Sequence, residues 1–392
     1  MRVEAHGFEI AFSKVKVTPE KPVYLAGFSR SRVSRGVHDD LYIRCMAISY
    51  GGATVAFVGV DSIGLVYADV RVVKSKLLKE SVLAVIASTH DHSSPDTIGL
   101  WGPDGETSGV DPEYLSFLKE MIVECVEAAC SNLRRAQLIM SSTLLPEGVA
   151  KNSRDPRLID REMIVLAAES YRGERLGILV NFGLHPEVLS GDNLLITADF
   201  PYYMLSSLEE SYGGLGVFIN GALGGMVTPD VRERSFAEAE RVGVAIAREA
   251  LAAVAGKAST FTSPDLALVT KEVELPVYNR LFVELAERGV LRKIGERSDS
   301  TVSSVSYFRV SPFLEGVSLP GEPLPKVGLK AKGMLRSPLK MLIGLGDDEI
   351  GYIIDPEDWR EGKYEESMSL GPNTATLLLS ELRSIVGLAR HS

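Results

Sequence analysis

Thr54-Val-Ala-Phe-Val-Gly-Val-Asp61, and then Val82-Leu-Ala-Val-Ile-Ala-Ser88 with Thr89-His-Asp-His92 directly after it, are the stretches that decide the fold. Each apolar run has strand length and ends on polar residues, the pattern of a strand buried on both faces. Between the runs, Val70, Val73 and Leu77 recur at helical spacing. Strand, helix and strand form a βαβ unit whose second strand delivers His90 and His92 to its carboxyl end. Open α/β sheets place their ligand crevice at that edge. Of six histidines in 392 residues, four fall at such positions: His38, His90, His92 and His185. Two or three imidazoles brought together from these loops can surround one metal ion.

The pattern continues outward from this unit. Asp111-Pro112 reads as the N-cap and first residue of a long helix, with an apolar face of Leu115, Leu118, Ile122, Cys125, Val126 and Ala129. Gln137–Thr143, Met163–Ala168, Leu176–Asn181 and Gly216–Asn220 read as strands, and His185 follows the third of them. Asp199 precedes a helix over Tyr202–Tyr212, and Ser235 with Glu238 reads as a capping box for a helix ending at Gly256. The remainder, about 257–370, is β-rich, with strands near Leu266–Leu275, Val302–Val310 and Phe313–Ser318. Helices are expected near Leu281–Arg288 and Asn373–Leu388, and the basic run Lys330–Leu342 as a solvated loop. The expected fold class is α/β: a mixed sheet flanked by helices, in one large domain over residues 1–392 with a β-rich last third.

Composition narrows the function. A net charge of −10 argues against nucleic acid or an anionic membrane as the main partner. No apolar run reaches membrane-spanning length. The first twenty residues, with Glu4, Glu9, Lys14 and Lys16, do not resemble a signal peptide. Cys45, Cys125 and Cys130 lack zinc-ribbon spacing and read as small core residues in a reducing compartment. A cytoplasmic location is the expectation.

Alternation along an extended segment would point His90 and His92 to one side, suiting one metal or a metal with a hydrogen-bonding neighbour. The motif alone serves equally as a satisfied buried pair. Metallo-β-lactamase-like hydrolases need Asp-His two residues later; Ser94-Pro95 stand there instead. His185, taken alone, can simply cap a carbonyl. Asp199 can cap its helix or orient a ligand histidine. Glu322, held between glycine and prolines, suits a metal ligand or an ordinary turn. Gly221–Gly225 lacks the Gly-Lys-Ser/Thr of a phosphate loop.

Taken in order, seven segments resemble the catalytic domain of the neutral/alkaline ceramidase family. They are Gly36-Val-His-Asp39, Thr89-His-Asp-His-Ser-Ser-Pro95, Leu184-His-Pro-Glu187, Asp192-Asn-Leu-Leu-Ile-Thr-Ala-Asp199, Gly225-Met-Val-Thr-Pro-Asp230, Leu319-Pro-Gly-Glu322, and Gly351-Tyr352 through Tyr364. The resemblance implies a zinc-dependent amidase acting on an N-acyl, ceramide-like lipid amide through a metal-activated water. It implies His90, His185, Glu322 and Tyr352 as Zn2+ ligands, with His92 and Tyr364 contacting the scissile amide. Thr228 stands where the family has a serine beside that amide, and Met226 where it has an aspartate. Arg154 lies near a substrate-contacting arginine of the family, and His38 matches without an assigned role. The family's C-terminal immunoglobulin-like domain is expected to be absent. An esterase or amidohydrolase acting on a small soluble substrate, and a metal-binding homologue without turnover, are the alternatives that Thr228 and Met226 keep open.

Overall fold

The computed structural model describes residues 7–256, 259–261, 264–292 and 299–389. Glu4, the histidines His6 and His391, and the start of the β-rich portion at 257 lie outside the described residues. Within them the expected order holds. Ala53–Val60, the helix Tyr67–Lys79 and Val82–Ser88 form the βαβ unit, with the two strands parallel.

The main sheet runs in the order Leu215–Asn220, Arg175–Phe182, Glu162–Ser170, Arg134–Leu144, Phe8–Lys16, Tyr42–Tyr50, Ala53–Val60, Val82–Ser88. Only the outermost pair at each end is parallel; the five pairings between them are antiparallel. By that count Arg175–Phe182 runs opposite to Val82–Ser88, yet both deliver histidines to the same place. Twist explains it. At about 20–25° per step, six steps accumulate roughly 120–150° and turn the far strands back toward the near ones. The amide of Asn220, at the end of the far edge strand, accordingly donates to the Thr89 carbonyl at 2.9 Å.

Strand alternation builds the layers. Ala56, Val58 and Val60 face the helices Tyr67–Lys79 and Pro112–Ser131, while Val55 and Phe57 face inward. The predicted stripe from Leu115 to Ala129 is buried throughout, and Asp111 caps its helix by accepting from the Glu113 and Tyr114 N–H groups. Helices Phe200–Tyr212 and Phe236–Gly256 cover the other half of the sheet. A second sheet, in the order Ala267–Pro276, Ser300–Ser311, Leu314–Ser318, Leu339–Ile343, packs Phe308 and Met341 into the inner core. Its other face meets Leu378, Leu382 and Ile385 of the helix Thr374–Leu388.

Two expectations need correction. Lys330–Leu342 is not a solvated loop: it ends the helix Pro325–Lys332 and begins the strand Leu339–Ile343. Lys332 is buried because Asp160 (2.8 Å) and Glu162 (2.6 Å) neutralise it. The Ser235–Glu238 box closes on one side only. Ser235 Oγ accepts the Glu238 N–H, but the Glu238 carboxylate turns to the Arg232 N–H and the Arg241 guanidinium.

Candidate metal centre

Three imidazoles converge where the coiled sheet brings its strand ends together. Ring centroids lie 5.1 Å apart for His90 and His92, 5.0 Å for His90 and His185, and 5.7 Å for His92 and His185. All three are buried. The two rings of the His-x-His motif do not meet by strand alternation as expected. His90 sits at φ 68°, in the left-handed region, with its N–H and that of Asp91 both donated to the Ser62 carbonyl. The turn, rather than an extended segment, aims the pair. Gly27, at φ 96°, lies against the His92 ring, and any Cβ there would overlap it.

The backbone fixes two of the rings. His90 Nδ1 donates to the Ile63 carbonyl at 2.7 Å, and His185 Nδ1 donates to the Val227 carbonyl at 3.0 Å. Each therefore turns Nε2 inward, toward the same carboxylate oxygen. Glu322 Oε2 lies 2.9 Å from His185 Nε2 and 3.5 Å from His90 Nε2. Burial holds the His90 pKa down to about 4, so its inward nitrogen is a free lone pair at neutral pH. Burial opposes charge on His185 as well, but Glu322 outweighs it and raises that pKa. Burial pushes Glu322 upward, and His90 and His185 together more than reverse it.

Glu322 is placed by a short parallel pairing of Glu322–Pro323 with Tyr352–Ile353, which sets Tyr352 beside it in register. The Tyr352 hydroxyl approaches Met226 Sδ at 3.3 Å and also acts on Glu322 to lower its pKa. Burial and then Glu322 raise the Tyr352 pKa itself. Tyr364, half exposed, sets its ring 6.0 Å from Tyr352, and burial followed by Glu322 lifts its pKa to about 12. Thr228 is buried beside the carbonyl that holds His185, and its hydroxyl has no hydrogen-bond partner among the described residues. Among the described residues the two ring nitrogens of His92 also lack one. From this cluster a cavity of about 480 Å³ extends along Ile98, Leu100, Trp101, Phe282, Leu291 and Leu370. That volume falls within the usual range for small-molecule sites.

The remaining candidates lie elsewhere. His38 is exposed, stacked on Phe236 at 3.7 Å and bonded to Asp39 at 2.8 Å. Asp199, at φ 58°, accepts from the Val188, Leu189 and Phe200 N–H groups, so it both caps its helix and pins the loop that follows His185. Both terminal nitrogens of the Arg154 guanidinium are engaged by Glu365, Glu366 and the Asp358 carbonyl. Two acids with buried carboxyl groups escaped sequence reasoning. Glu187 places Oε2 3.5 Å from His92 Nδ1, and Glu349 lies in the wall of the cavity beside His90. The available signal was Asp347-Asp348-Glu349, three acids in an otherwise apolar stretch.

No protein-family model matches the chain. Among solved structures, it is similar to neutral ceramidase from Pseudomonas aeruginosa, with a TM-score of 0.84 and 17% identity over 99% of this chain and 75% of that one. It is likewise similar to a ceramidase complexed with C2, with a TM-score of 0.85 and 17% identity over 98% of this chain and 76% of that one. At this identity the likeness speaks for architecture, and across nearly its whole described length this chain has the neutral ceramidase fold.

Proposed function

We propose that this protein is a metal-dependent hydrolase of a linear amide carrying an apolar acyl chain. One observation carries the reading. Two imidazoles whose Nδ1 protons are already committed aim their Nε2 atoms at one carboxylate oxygen, Glu322 Oε2. A single proton relieves one of those contacts; relieving both calls for a multivalent cation. Two imidazoles and a carboxylate are a common catalytic zinc set, and zinc is the ion we propose. His90, His185 and Glu322 would hold it, with Tyr352 as the neighbouring fourth donor. A divalent cation held there would polarise a carbonyl and lower the pKa of a water molecule from about 15.7 to about 7.

The chain's own groups supply the rest. The Ile63 and Val227 carbonyls fix the tautomer and tilt of the two rings, which keeps their lone pairs directed. His92 and Tyr364 border the cavity, and in this reading they would hydrogen-bond the oxygen on which charge develops. The apolar walls from Ile98 to Leu370 suit an acyl chain and exclude water from the scissile bond. The ceramidase neighbours favour an amide of N-acyl type, ceramide-like in its chemistry.

The test pairs metal analysis of dialysed protein with a panel of N-acyl amides and p-nitrophenyl esters, with and without chelator. Chelator-sensitive amide hydrolysis is the expected result. Cleavage of esters alone would favour the esterase alternative, and metal without turnover the inactive homologue.

A further inference from the structure

Asp347, Asp348 and Glu349 meet different fates. Asp347 receives Lys74 Nζ at 2.5 Å and the Ile86 N–H at 2.9 Å. Asp348 receives the Tyr67 N–H at 2.8 Å, the Glu349 N–H at 2.9 Å and the Ser303 hydroxyl at 2.6 Å. Glu349 engages only Oε1, which accepts the Gly351 N–H at 2.7 Å. Its Oε2 is buried without a hydrogen-bond partner among the described residues. Leaving a buried oxygen in that state forfeits its hydration without return, so a cavity group of this kind invites a ligand.

The surroundings are built to hold it there. Leu345 and Asp347 both adopt positive φ, 53° and 66°, a costly conformation for residues with a Cβ. Gly64 faces the Glu349 stem, and any Cβ there would overlap it. Glu349 lines the cavity between His90 and Ile98, with a carboxyl oxygen within 4.8 Å of ligand atoms on both His90 and Glu322. The nearest ring nitrogen, His90 Nδ1 at 3.9 Å, has already given its proton to Ile63.

We propose that Glu349 is a specificity residue that takes a hydroxyl of the substrate, carried on one of the first carbons flanking the scissile amide. A hydroxyl fits where other groups do not: it can donate to a carboxylate or accept from a carboxylic acid. The pairing therefore holds in either protonation state of Glu349. An alkyl chain leaves Oε2 unpaired, and an ammonium suits only the charged form. This inference rests on the reading of the cavity as the substrate site.

Three amides of one chain length test it: an N-ethyl alkanamide, its 2-hydroxyacyl analogue and its N-(2-hydroxyethyl) analogue. The wild type is expected to favour one hydroxylated form in kcat/KM by roughly 10- to 100-fold, the span of a hydrogen bond to a charged group. The favoured analogue tells which side of the amide Glu349 reads. Glu349→Met should bring the ratio close to unity with metal content unchanged, and Glu349→Gln should keep part of it. Calorimetry with the 2-hydroxy and plain alkanoate products gives a readout independent of turnover for the acyl side. A wild type without preference overturns the proposal, even if Glu349→Met does not fold. A preference that survives Glu349→Met, or metal lost from that variant, overturns it as well. A wild type that cleaves none of the three amides instead overturns the reading of the cavity.

Discussion

Two buried polar clusters lie on either side of Tyr364, and they are built on opposite terms. In one, Arg154 meets Glu365 at 2.9 Å, Glu366 at 2.6 Å and the Asp358 carbonyl at 2.6 Å, so its charge and both terminal nitrogens are engaged within the protein. In the other, His92, Thr228 and Glu349 keep polar atoms without a partner among the described residues, and two imidazole nitrogens crowd one oxygen of Glu322. A buried polar group without a partner costs stability, so a cluster full of them is maintained for a ligand. The satisfied cluster is read as structural: it ties the segment carrying Tyr364 to the two-stranded ladder of Ala150–Asn152 with Val227–Pro229, which carries Thr228. The unsatisfied one is read as the reaction centre.

The contrast can be broken or sharpened by substitution. The largest effect is expected at the lone-pair donors. His90→Ala or His185→Ala should lose the metal, measured per chain after dialysis, and lower amide turnover by more than about 1000-fold. That exceeds the roughly 100- to 1000-fold typical of losing one oxyanion donor. Retained metal in either variant would remove that residue from the centre. Arg154→Met should act on stability instead, because it strands two buried carboxylates; a loss of roughly 3 kcal/mol in urea unfolding is expected. If Arg154→Met leaves stability intact and abolishes hydrolysis in the folded protein, the two clusters have been assigned the wrong way round. His92→Ala and Tyr364→Phe should each keep the metal and lower kcat by roughly 100- to 1000-fold.

A pH-dependent effect concerns Asp348, which accepts from three donors. Burial raises its pKa to about 7 despite those hydrogen bonds. A carboxyl raised in the folded state contributes stability that is fully present below its unfolded pKa of about 3.9 and is lost as pH rises through the folded value. The stability of Asp348→Asn relative to the wild type should therefore climb between about pH 4 and pH 7. Urea titrations at both ends measure it, and a flat difference would contradict the assignment.

Much of the fold was legible because its strands are buried on both faces and its helices carry clear apolar stripes. Val82–Ser88 and the stripe from Leu115 to Ala129 were read as they stand. The site was less so. The convergence of His90 with His185 depends on twist accumulated over a sheet whose pairing order no local pattern reveals. Lys332 was misread because lysine hydropathy carries no hint of Asp160 and Glu162 waiting in the core. Arg154 fell near a family motif, yet the carboxylates that consume it lie more than two hundred residues away. Glu349 was invisible for a related reason: in sequence it is one of three acids, and only packing separates the free one from the two that are bound.

The most direct test of the central claim is anomalous diffraction at the zinc edge from crystals of protein grown with zinc. The account predicts one strong peak bounded by His90 Nε2, His185 Nε2 and Glu322 Oε2. A protein that binds zinc elsewhere, or crystals with no peak between those three atoms, would contradict it.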